Sequence, residues 1–360
     1  MRAAVCRAFG APLTIEEVTL APPRAGEVRV RVAACAICHS DIAYADGAWG
    51  GTLPAVYGHE AAGIVEEVGA GVTHLKPGDH AVVTLIRACG HCPTCARGAP
   101  VRCETVFPLD TASPLSANGE TLVHGLRTAA FAEQVVVEAS QAVAIPAEIK
   151  LDAAALLACG VLTGVGAVAN TAGVRAGESV VVIGTGGVGL NAVQGAALVG
   201  ATPIIAVDPS HAKRQAALAF GATHAFDAAD DGLPAMVRAI NGGRLVDWAF
   251  VTVGAKAAME QATGLIGRGG GVVIVGMPPS GVAAGYDPGR LAADEQRILG
   301  SKMGSARVPV DIPRLVALYQ QGRIKLDALI TERYPLERIN EAIAAAKRGE
   351  ALRNVIVFDQ

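Results

Sequence analysis

Residues 180–189 read VVVIGTGGVG, in which an apolar run passes directly into closely spaced glycines. Consecutive β-branched residues are typical of a strand that is buried on both faces. The glycines indicate a tight turn, and the Ala-rich stretch after them is typical of a helix. A buried strand that passes through a tight turn into a helix predicts the first half of a βαβ unit.

The same alternation continues along the chain. IIAVD at 204–208 precedes the helical pattern KRQAALAFGA, and DWAFVTVG (247–254) and GGVVIVG (270–276) are further apolar strands. This alternation predicts a parallel sheet with helices on both faces. We expect it to form one α/β domain over residues 161–302.

The segments on either side have a different pattern. In EVRVRV (27–32), valines alternate with charged residues, which is the two-residue period of a half-buried strand. Further short β-like runs follow, and we expect an irregular polar loop over residues 108–127. The last part contains two helical patterns and the strand-like NVIVF. The sequence therefore predicts a β-rich domain (1–160) that is completed by residues 303–360.

The glycines of the opening stretch have a spacing with a known use. Gly184, Gly186 and Gly189 form G-x-G-x-x-G between a strand and a helix, and Asp208 ends the next strand. This context predicts that the turn binds the pyrophosphate of a dinucleotide at the helix N-terminus. Asp208 would bind the adenosine ribose and repel a 2′-phosphate, which favours NAD over NADP. The alternative is that Asp208 merely caps the next helix. Lys213 could also reach the ribose, although an isolated lysine is more often solvated.

Composition and charge limit the class of protein. The 360 residues are 51% hydrophobic and 18% charged, with a net charge of −3, as is typical of a compact globular protein. The sequence shows neither a Lys/Arg cluster for a nucleic acid nor an apolar run long enough for a membrane span. The N-terminal residues lack the apolar core of a signal peptide. We therefore expect a cytoplasmic protein with a small-molecule partner, and neither a nucleic acid nor a membrane as partner.

A second feature is the cysteine-rich loop RACGHCPTCARGAPVRC. Its cysteines are Cys89, Cys92, Cys95 and Cys103. Four thiolates can close a tetrahedral shell around Zn²⁺ with no open position, which is typical of a structural zinc site. A disulfide pair is one alternative, but the expected reducing compartment argues against it. An iron–sulfur cluster is another, although bacterial ferredoxin runs have a shorter last gap.

A further metal site is indicated by Cys38 and His59, in CHSDIAYADGAWGGTLPAVYGHE. A catalytic zinc uses three protein ligands and one open position, and two cysteines with one histidine form a known set. These residues leave the third ligand unassigned, and a Cys or His is as often an ordinary core residue. Cys35 and Cys38 also form a CxxC, but without the βαβ context of a thioredoxin-like redox pair, so we expect Cys35 to fill the core.

The segments CHSD, GHE, the four-cysteine loop, CGVLTG and GTGGVG together resemble the zinc-dependent alcohol dehydrogenases of the medium-chain dehydrogenase/reductase superfamily. The resemblance covers essentially the whole chain. It implies a Rossmann domain inserted into a GroES-like catalytic domain, two zinc ions per chain (one catalytic and one structural) and NAD as coenzyme. It also implies a homo-oligomer, either a dimer or a tetramer, with GGVVIVG as a contact strand.

The resemblance also implies roles for residues near the metal. The third ligand would be Cys159, in ALLACGVLTG. Glu60 resembles the carboxylate beside the metal that exchanges with water during turnover. Asp41 resembles the acceptor that fixes the tautomer of the ligand His59.

Other positions resemble coenzyme contacts of the family. Thr163 resembles a contact to the nicotinamide ribose, and Arg353 and His39 resemble contacts to the pyrophosphate. A protonated His39 would strengthen that contact at lower pH. The remaining implied coenzyme contacts are Gly187, Val188 and Val275.

The implied reaction is alcohol oxidation, in which the substrate loses a proton and a hydride. Bound Zn²⁺ lowers the pKa of a hydroxyl-type ligand to about 7, and Ser40 is expected to take the proton. Ala43 stands where animal relatives often have a relay histidine, so the group after Ser40 is unassigned. Trp49 and Leu85 resemble pocket positions, and a tryptophan there favours slim primary or flat aromatic alcohols; either residue is equally often part of a core.

Two other functions fit parts of the pattern. One is a polyol or secondary-alcohol dehydrogenase of the same superfamily; polyol relatives commonly replace the third cysteine ligand by a carboxylate, so Cys159 argues against this. The other is a non-catalytic, zinc-stabilised NAD-binding protein. Such a protein has no need of an open metal site, so two zinc ions per chain would support the enzyme and one would support the scaffold.

Overall fold

The structure is a computed structural model that describes residues 1–359. The chain divides into two compact units: Met1–Cys159 with the segment from Arg307 onward form the first, and Gly160–Ala306 forms the second. The second unit extends beyond the expected residue 302 because Gly304 packs against Gly166. A β-carbon on Gly304 would lie 2.8 Å from the Gly166 α-carbon.

The N-terminal part of the first unit is mainly β-structure. Its strands are β1 Arg2–Cys6, β2 Thr14–Glu17, β3 Thr19–Leu20, β4 Glu27–Ala36, β5 Ala55–Val56, β6 Glu60–Val68, β7 His80–Val83, β8 Leu115–Ala117, β9 Glu120–His124, β10 Gln134–Glu138 and β11 Ala142–Ile145. Its α-helices are α1 His39–Ala45, α2 Pro93–Ala96, α3 Pro108–Thr111 and α4 Leu151–Ala155. Single 3₁₀ turns lie at Pro100–Arg102, Gly125–Arg127, Ala139–Gln141 and Leu156–Ala158.

The second unit alternates helices and strands, as its sequence pattern predicts. Its strands are β12 Val180–Ile183, β13 Ile204–Val207, β14 His224–Phe226, β15 Val246–Val251, β16 Ile266–Ile274 and β17 Arg297–Gly300. Its helices are α5 Gly160–Gly166, α6 Gly187–Leu198, α7 His211–Ala219, α8 Leu233–Ile240, α9 Lys256–Leu265 and α10 Pro288–Ala293. A π-helical turn at Ala167–Ala172 follows α5, and a 3₁₀ turn at Met303–Ser305 ends the unit.

The C-terminal segment returns to the first unit. It contains α11 Val308–Gln320, β18 Ile330–Pro335, α12 Ile339–Lys347 and β19 Arg353–Val357, with 3₁₀ turns at Asp327–Leu329 and Leu336–Arg338. Strand β19 is antiparallel to β4, so this segment completes a sheet that begins near the N-terminus.

Two sheets form the first unit. One has the strand order β2-β1-β5-β9-β8-β3, and the other has the order β11-β7-β6-β4-β19-β18, with β10 also paired to β4. In β4, Val28, Val30 and Val32 are buried and the arginines between them are half-buried. The alternation predicted for this strand is therefore confirmed.

The second unit contains one parallel sheet with the strand order β14-β13-β12-β15-β16-β17. The chain begins at the central strand β12, proceeds to one edge, and resumes at β15 on the other side. In doubly wound sheets, ligands bind where the strand order reverses, at the carboxyl ends of the strands. The GTGGVG turn follows β12 directly and so lies at this point. The predicted fold, a Rossmann-type α/β domain inserted into a β-rich domain, is confirmed.

The expectation that GGVVIVG forms a subunit contact stays a prediction, but this segment is not the edge strand of the sheet. Strand β16, which contains most of this segment, is paired on both sides, with β15 and with β17. A strand with both edges paired cannot extend a sheet to another chain. The terminal strand on this side is β17, which the sequence pattern does not indicate.

The expected irregular loop over residues 108–127 is also wrong. This stretch contains α3, and β8 and β9 pair as an antiparallel hairpin. Asn118 and Gly119 between these strands have φ values of 50° and 81°, the left-handed conformation that a two-residue hairpin turn requires. Leu115 and Leu122 are buried in one hydrophobic cluster. The Asn-Gly pair was the sequence signal for this hairpin.

Within residues 1–359, no single helix has the length and apolar composition needed to cross a membrane. One bent pair of helical segments, Leu151–Ala158 and Gly160–Ala172, meets that test jointly, by length and composition only.

Candidate active site and metal centre

Four side chains with metal-binding atoms converge inside the first unit. They are Cys38, His59, Glu60 and Cys159, and their ligand atoms lie within 4.8 Å of one another. Cys38 lies between β4 and α1, His59 and Glu60 lie at the start of β6, and Cys159 follows the last 3₁₀ turn before α5. All of these residues are buried. The fold thus joins residues that are far apart in the sequence.

Asp41 orients this cluster. Its Oδ1 accepts a hydrogen bond from the Gly58 amide at 2.9 Å and lies 2.9 Å from His59 Nδ1. Its Oδ2 accepts from the Cys38 amide at 3.1 Å. Because a carboxylate can only accept, Nδ1 of the neutral imidazole carries the proton and Nε2 keeps its lone pair. Asp41 therefore fixes the His59 tautomer and the turn that carries Cys38.

The hydrogen bonding of His59 Nε2 indicates whether these residues can bind a metal ion. This atom is buried and has no hydrogen-bond partner among residues 1–359. An unpaired buried nitrogen costs free energy, whereas a lone pair beside two thiols suits tetrahedral Zn²⁺. The donor set of Cys38, His59 and Cys159 therefore fits zinc and leaves a fourth position for another ligand.

The thiols of Cys38 and Cys159 interact with each other. Their hydrogen bond lowers the pKa of Cys38 well below its ordinary value and raises the pKa of Cys159. Metal binding requires the thiolate form of both sulfurs, so a bound cation would displace the proton that Cys159 retains.

Glu60 is paired with Arg353. Nη2 of Arg353 lies 2.5 Å from Oε2 of Glu60, and both side chains are almost completely buried. Burial raises the pKa of Glu60 to about 7, although the positive charge of Arg353 opposes the rise. The structure thus places the Arg353 guanidinium on Glu60, and its contact with a pyrophosphate stays a prediction.

Helix α1 and two nearby loops carry the residues predicted to act on the substrate. Ser40 is half-buried in the first turn of α1, and His39 beside it is exposed. Trp49 and Leu85 are both half-buried. The Trp49 ring packs edge-on against Tyr44, with ring centroids 5.2 Å apart. The roles of these residues toward substrate and coenzyme stay predictions.

The four cysteines of the predicted structural site also converge. The sulfurs of Cys89, Cys92, Cys95 and Cys103 lie within 4.8 Å of one another. The Cys89 amide donates to Cys103 Sγ at 3.4 Å, and the Cys92 amide donates to Cys89 Sγ at 3.2 Å. A hydrogen bond from Thr94 lowers the pKa of Cys92 to about 5. Donors directed at sulfur stabilise thiolates, the form that binds Zn²⁺, so this loop fits a closed zinc site.

The GTGGVG turn has the backbone that a dinucleotide needs. Gly184 has a φ of +87°, and a β-carbon on Gly189 would lie 1.9 Å from the Gly184 carbonyl oxygen. Gly186 is the N-cap of α6, and a β-carbon there would meet nothing within 4 Å. Open space at a helix start, beside unpaired N–H groups, fits a phosphate. Gly187 and Val188 form the first turn of α6.

Asp208 follows β13, and the backbone holds both of its carboxylate oxygens. The Thr185 amide donates to Oδ2 at 2.8 Å, and the Ser210 amide donates to Oδ1 at 2.9 Å. The alternative that Asp208 is the helix cap is wrong, because Ser210 is the N-cap of α7 and its side chain accepts from the Lys213 amide. Lys213 is half-buried in the first turn of that helix.

The other predicted coenzyme contacts lie elsewhere in the second unit. Thr163 is buried in α5, and its hydroxyl donates to Met303 Sδ at 3.7 Å. Val275 directly follows β16, and its amide donates to the Val251 carbonyl at 2.9 Å. Contact of either residue with a coenzyme stays a prediction.

Arg214 supports the Asp208 turn, although no sequence motif indicates it. Its Nη1 donates to the Asp208 carbonyl at 2.7 Å and lies 2.7 Å from Asp227 Oδ2. Thr252 has a similar supporting role, because its hydroxyl donates to the Gly184 carbonyl at 2.5 Å. Both contacts join separate strands and helices, so only the folded chain reveals them.

Comparison with known proteins identifies the family. The model for the alcohol dehydrogenase GroES-like domain matches residues 24–147, and the model for the zinc-binding dehydrogenase matches residues 187–321. The chain is 40% identical to the NDMA-dependent alcohol dehydrogenase of Amycolatopsis methanolica, over 99% of this chain and 98% of that one. The chain belongs to the zinc-dependent alcohol dehydrogenases of the medium-chain dehydrogenase/reductase superfamily. The predicted family is therefore confirmed, and this alcohol dehydrogenase is a zinc-binding oxidoreductase.

Solved structures of alcohol dehydrogenases have the same fold. The alcohol dehydrogenase zinc-binding domain protein from Burkholderia ambifaria superimposes with a TM-score of 0.95 at 39% identity, covering 100% of this chain and 99% of that one. The benzyl alcohol dehydrogenase from Acinetobacter calcoaceticus superimposes with a TM-score of 0.93 at 31% identity, covering 99% of each chain.

Arg87 is a buried charge in this alcohol dehydrogenase that sequence reasoning missed. Its side chain is 0% exposed and donates to Gln141 Oε1 at 2.7 Å, Asp110 Oδ1 at 2.8 Å and the Arg127 carbonyl at 3.0 Å. Burial and the Arg87 charge lower the pKa of His124, which also contacts this guanidinium, to about 3. The charged and hydrogen-bonding partners compensate the cost of burying a guanidinium.

Proposed function

We propose that this alcohol dehydrogenase interconverts a primary alcohol and its aldehyde with NAD(H), at a zinc ion held by Cys38, His59 and Cys159. The observation that carries the proposal is the buried cluster of two thiols and an imidazole whose Nε2 lacks a hydrogen-bond partner among residues 1–359. Three protein ligands with one open position are the set of a catalytic zinc. A second zinc ion would be held by Cys89, Cys92, Cys95 and Cys103, and it would contribute stability rather than catalysis.

The residues around the cluster prepare it for this chemistry. Zn²⁺ bound there would supply Lewis acidity, which lowers the pKa of an alcohol hydroxyl toward neutrality. Asp41 holds His59 in the tautomer that keeps Nε2 available. Arg353 neutralises Glu60, so the carboxylate beside the cluster adds no uncompensated buried charge.

We assign proton transfer to Ser40. It lies two residues after Cys38 in the first turn of α1 and is half-buried, whereas Ala43 on the next turn has no titratable group. The Ser40 hydroxyl would therefore accept the proton, and the group that receives it next is unassigned.

Ser40→Ala is expected to lower kcat by about 10²-fold, the scale of lost acid–base catalysis. The zinc content should remain that of the parent, because Ser40 is not a metal ligand. Steady-state kinetics and metal analysis of the same preparation check this. Ser40→Thr, which retains a hydroxyl, is the matched control and should retain most of the activity. Full activity of Ser40→Ala would exclude the assigned role.

We propose that the coenzyme binds to the GTGGVG turn, with Asp208 on the adenosine ribose. The Asp208 carboxylate is nearly buried, and backbone amides donate to both of its oxygens. Moving it away from a 2′-phosphate would break these hydrogen bonds. This arrangement supports NAD over NADP. The relative from Amycolatopsis methanolica is named for its dependence on NDMA, so the electron acceptor has to be tested directly.

We propose that the substrate is a slim aliphatic or flat aromatic primary alcohol. The half-buried Trp49 and Leu85 are bulky side chains on loops of the unit that contains the metal cluster. The similarity to a benzyl alcohol dehydrogenase supports the aromatic part of this range.

A panel of alcohols and acceptors tests the proposed function. The panel consists of benzyl alcohol, a straight-chain primary alcohol, a secondary alcohol and a polyol, each with NAD, NADP or NDMA. We expect the highest kcat/KM for a primary alcohol with NAD. Oxidation only with NDMA would contradict NAD as the exchangeable electron acceptor. A higher kcat/KM for the polyol or the secondary alcohol would contradict the substrate class.

A further inference from the structure

The backbone conformation of Cys159 is not fixed by either of the two helical segments beside it. It lies directly after the 3₁₀ turn Leu156–Ala158, and its φ and ψ of −141° and −67° are not helical. The helix α5 begins only at the next residue. A residue between two helical segments depends on outside contacts for its position. The last carbonyls of a helical turn, here including that of Ala158, also need donors from elsewhere.

Thr84 supplies such a donor. Its hydroxyl donates to the Ala158 carbonyl at 2.6 Å, and Thr84 is 0% exposed. Thr84 directly follows β7, so this hydrogen bond joins the end of a strand to the residue immediately before Cys159. A hydrogen bond at a fully buried position is stronger than one in water, so it holds in place the backbone next to Cys159.

Thr84 is itself held firmly. Its amide donates to the Gln141 carbonyl at 3.0 Å, and Gln141 Nε2 donates back to the Thr84 carbonyl at 2.8 Å. The Gln141 Oε1 in turn accepts from the buried Arg87 guanidinium at 2.7 Å. Because both its amide and its carbonyl are hydrogen-bonded, the Thr84 backbone is held in place, and its hydroxyl therefore has a defined position.

We propose that Thr84 is a positioning residue that sets the third sulfur of the metal cluster through the Ala158 carbonyl. Thr84 is not a member of the metal-binding cluster, which consists of Cys38, His59, Glu60 and Cys159. This role of Thr84 rests on the proposed function, because it requires that Cys38, His59 and Cys159 bind zinc. Residues that orient metal ligands typically change metal affinity by about 10- to 100-fold when replaced.

The test compares Thr84→Val, which removes the hydroxyl at similar volume, with Thr84→Ser, which keeps it. Thr128→Val is the matched control, because Thr128 is also 0% exposed and its hydroxyl donates to the Leu126 carbonyl at 3.0 Å. Each full-length variant is loaded with zinc and titrated with EDTA, and a second sample is reconstituted with Co²⁺ to record the thiolate–cobalt absorption band.

We expect Thr84→Val to bind one of its two zinc ions about 10-fold more weakly and to shift the cobalt band. Thr84→Ser and Thr128→Val should match the parent. Parent-like zinc affinity and cobalt spectrum in Thr84→Val would overturn the inference, even if its Tm falls. If Thr84→Val does not fold, Thr84→Ala replaces it and is judged by the same criteria. A parent protein that binds only the four-cysteine zinc would contradict the proposed function instead.

Discussion

Cys159→Ala is expected to remove one of the two zinc ions per chain and to lower kcat by about 10³-fold or more. Loss of the third ligand leaves only Cys38 and His59, together with the Arg353-paired Glu60, at the cluster. Lewis acidity is worth several kcal/mol of barrier lowering, and about 1.4 kcal/mol corresponds to a tenfold change in rate. Metal analysis of the purified variant, followed by steady-state kinetics with a primary alcohol, measures both effects.

Cys103→Ser is the matched control, since it also removes one thiolate ligand. It should release the other zinc, lower the Tm and leave kcat per folded chain close to that of the parent, because Cys103 belongs to the closed four-sulfur loop. A Cys159→Ala variant that keeps both zinc ions, or one that turns over at the parent rate, would remove the basis of the proposed mechanism.

Asp208→Asn is expected to shift the ratio of kcat/KM for NAD to that for NADP by about 10²-fold toward NADP. Asparagine keeps the shape and one acceptor oxygen for the Thr185 or Ser210 amide but removes the negative charge. Two charges about 5 Å apart at an effective dielectric constant near 20 interact by about 3 kcal/mol, which corresponds to about 10²-fold. Kinetics with both coenzymes, together with their dissociation constants from calorimetry, provide the measurement.

Asp227→Asn serves as the control for this substitution. Asp227 is a neighbouring carboxylate that pairs with Arg214, whose guanidinium also binds the Asp208 carbonyl. If the repulsion comes from Asp208 itself, Asp227→Asn should retain the preference for NAD. Equal shifts in both variants would show that the overall charge of this turn sets the preference, and an unchanged preference in Asp208→Asn would exclude its role.

Much of the fold could be predicted from the sequence because its signals are local. The VVVIG strand, the GTGGVG turn and the alternating valines of β4 each depend on neighbouring residues, and the structure contains them at the expected places. The Asn118-Gly119 hairpin is equally local, but its turn signal lies in a stretch rich in polar residues, which is also typical of an irregular loop.

The sheet edge could not be predicted in the same way. Whether β16 or β17 ends the sheet depends on which strands pair, and both have apolar residues. The buried Arg87 and the Thr84 hydroxyl are similar cases, because an arginine or threonine has the same appearance in a sequence whether it is solvated or enclosed. Their partners come from other loops and turns.

By itself, the sequence determined the family and the fold class, and it predicted the residues that would bind zinc and a dinucleotide. These depend on residue types at short spacings, which a chain carries before it folds. Only the tertiary structure decided that Arg353 pairs with Glu60, that Ser210 rather than Asp208 caps α7, and that Thr84 holds the carbonyl beside Cys159. Such contacts join atoms whose separation depends on strand pairing and on the packing of loops against the sheets, and no local pattern of residues encodes that distance.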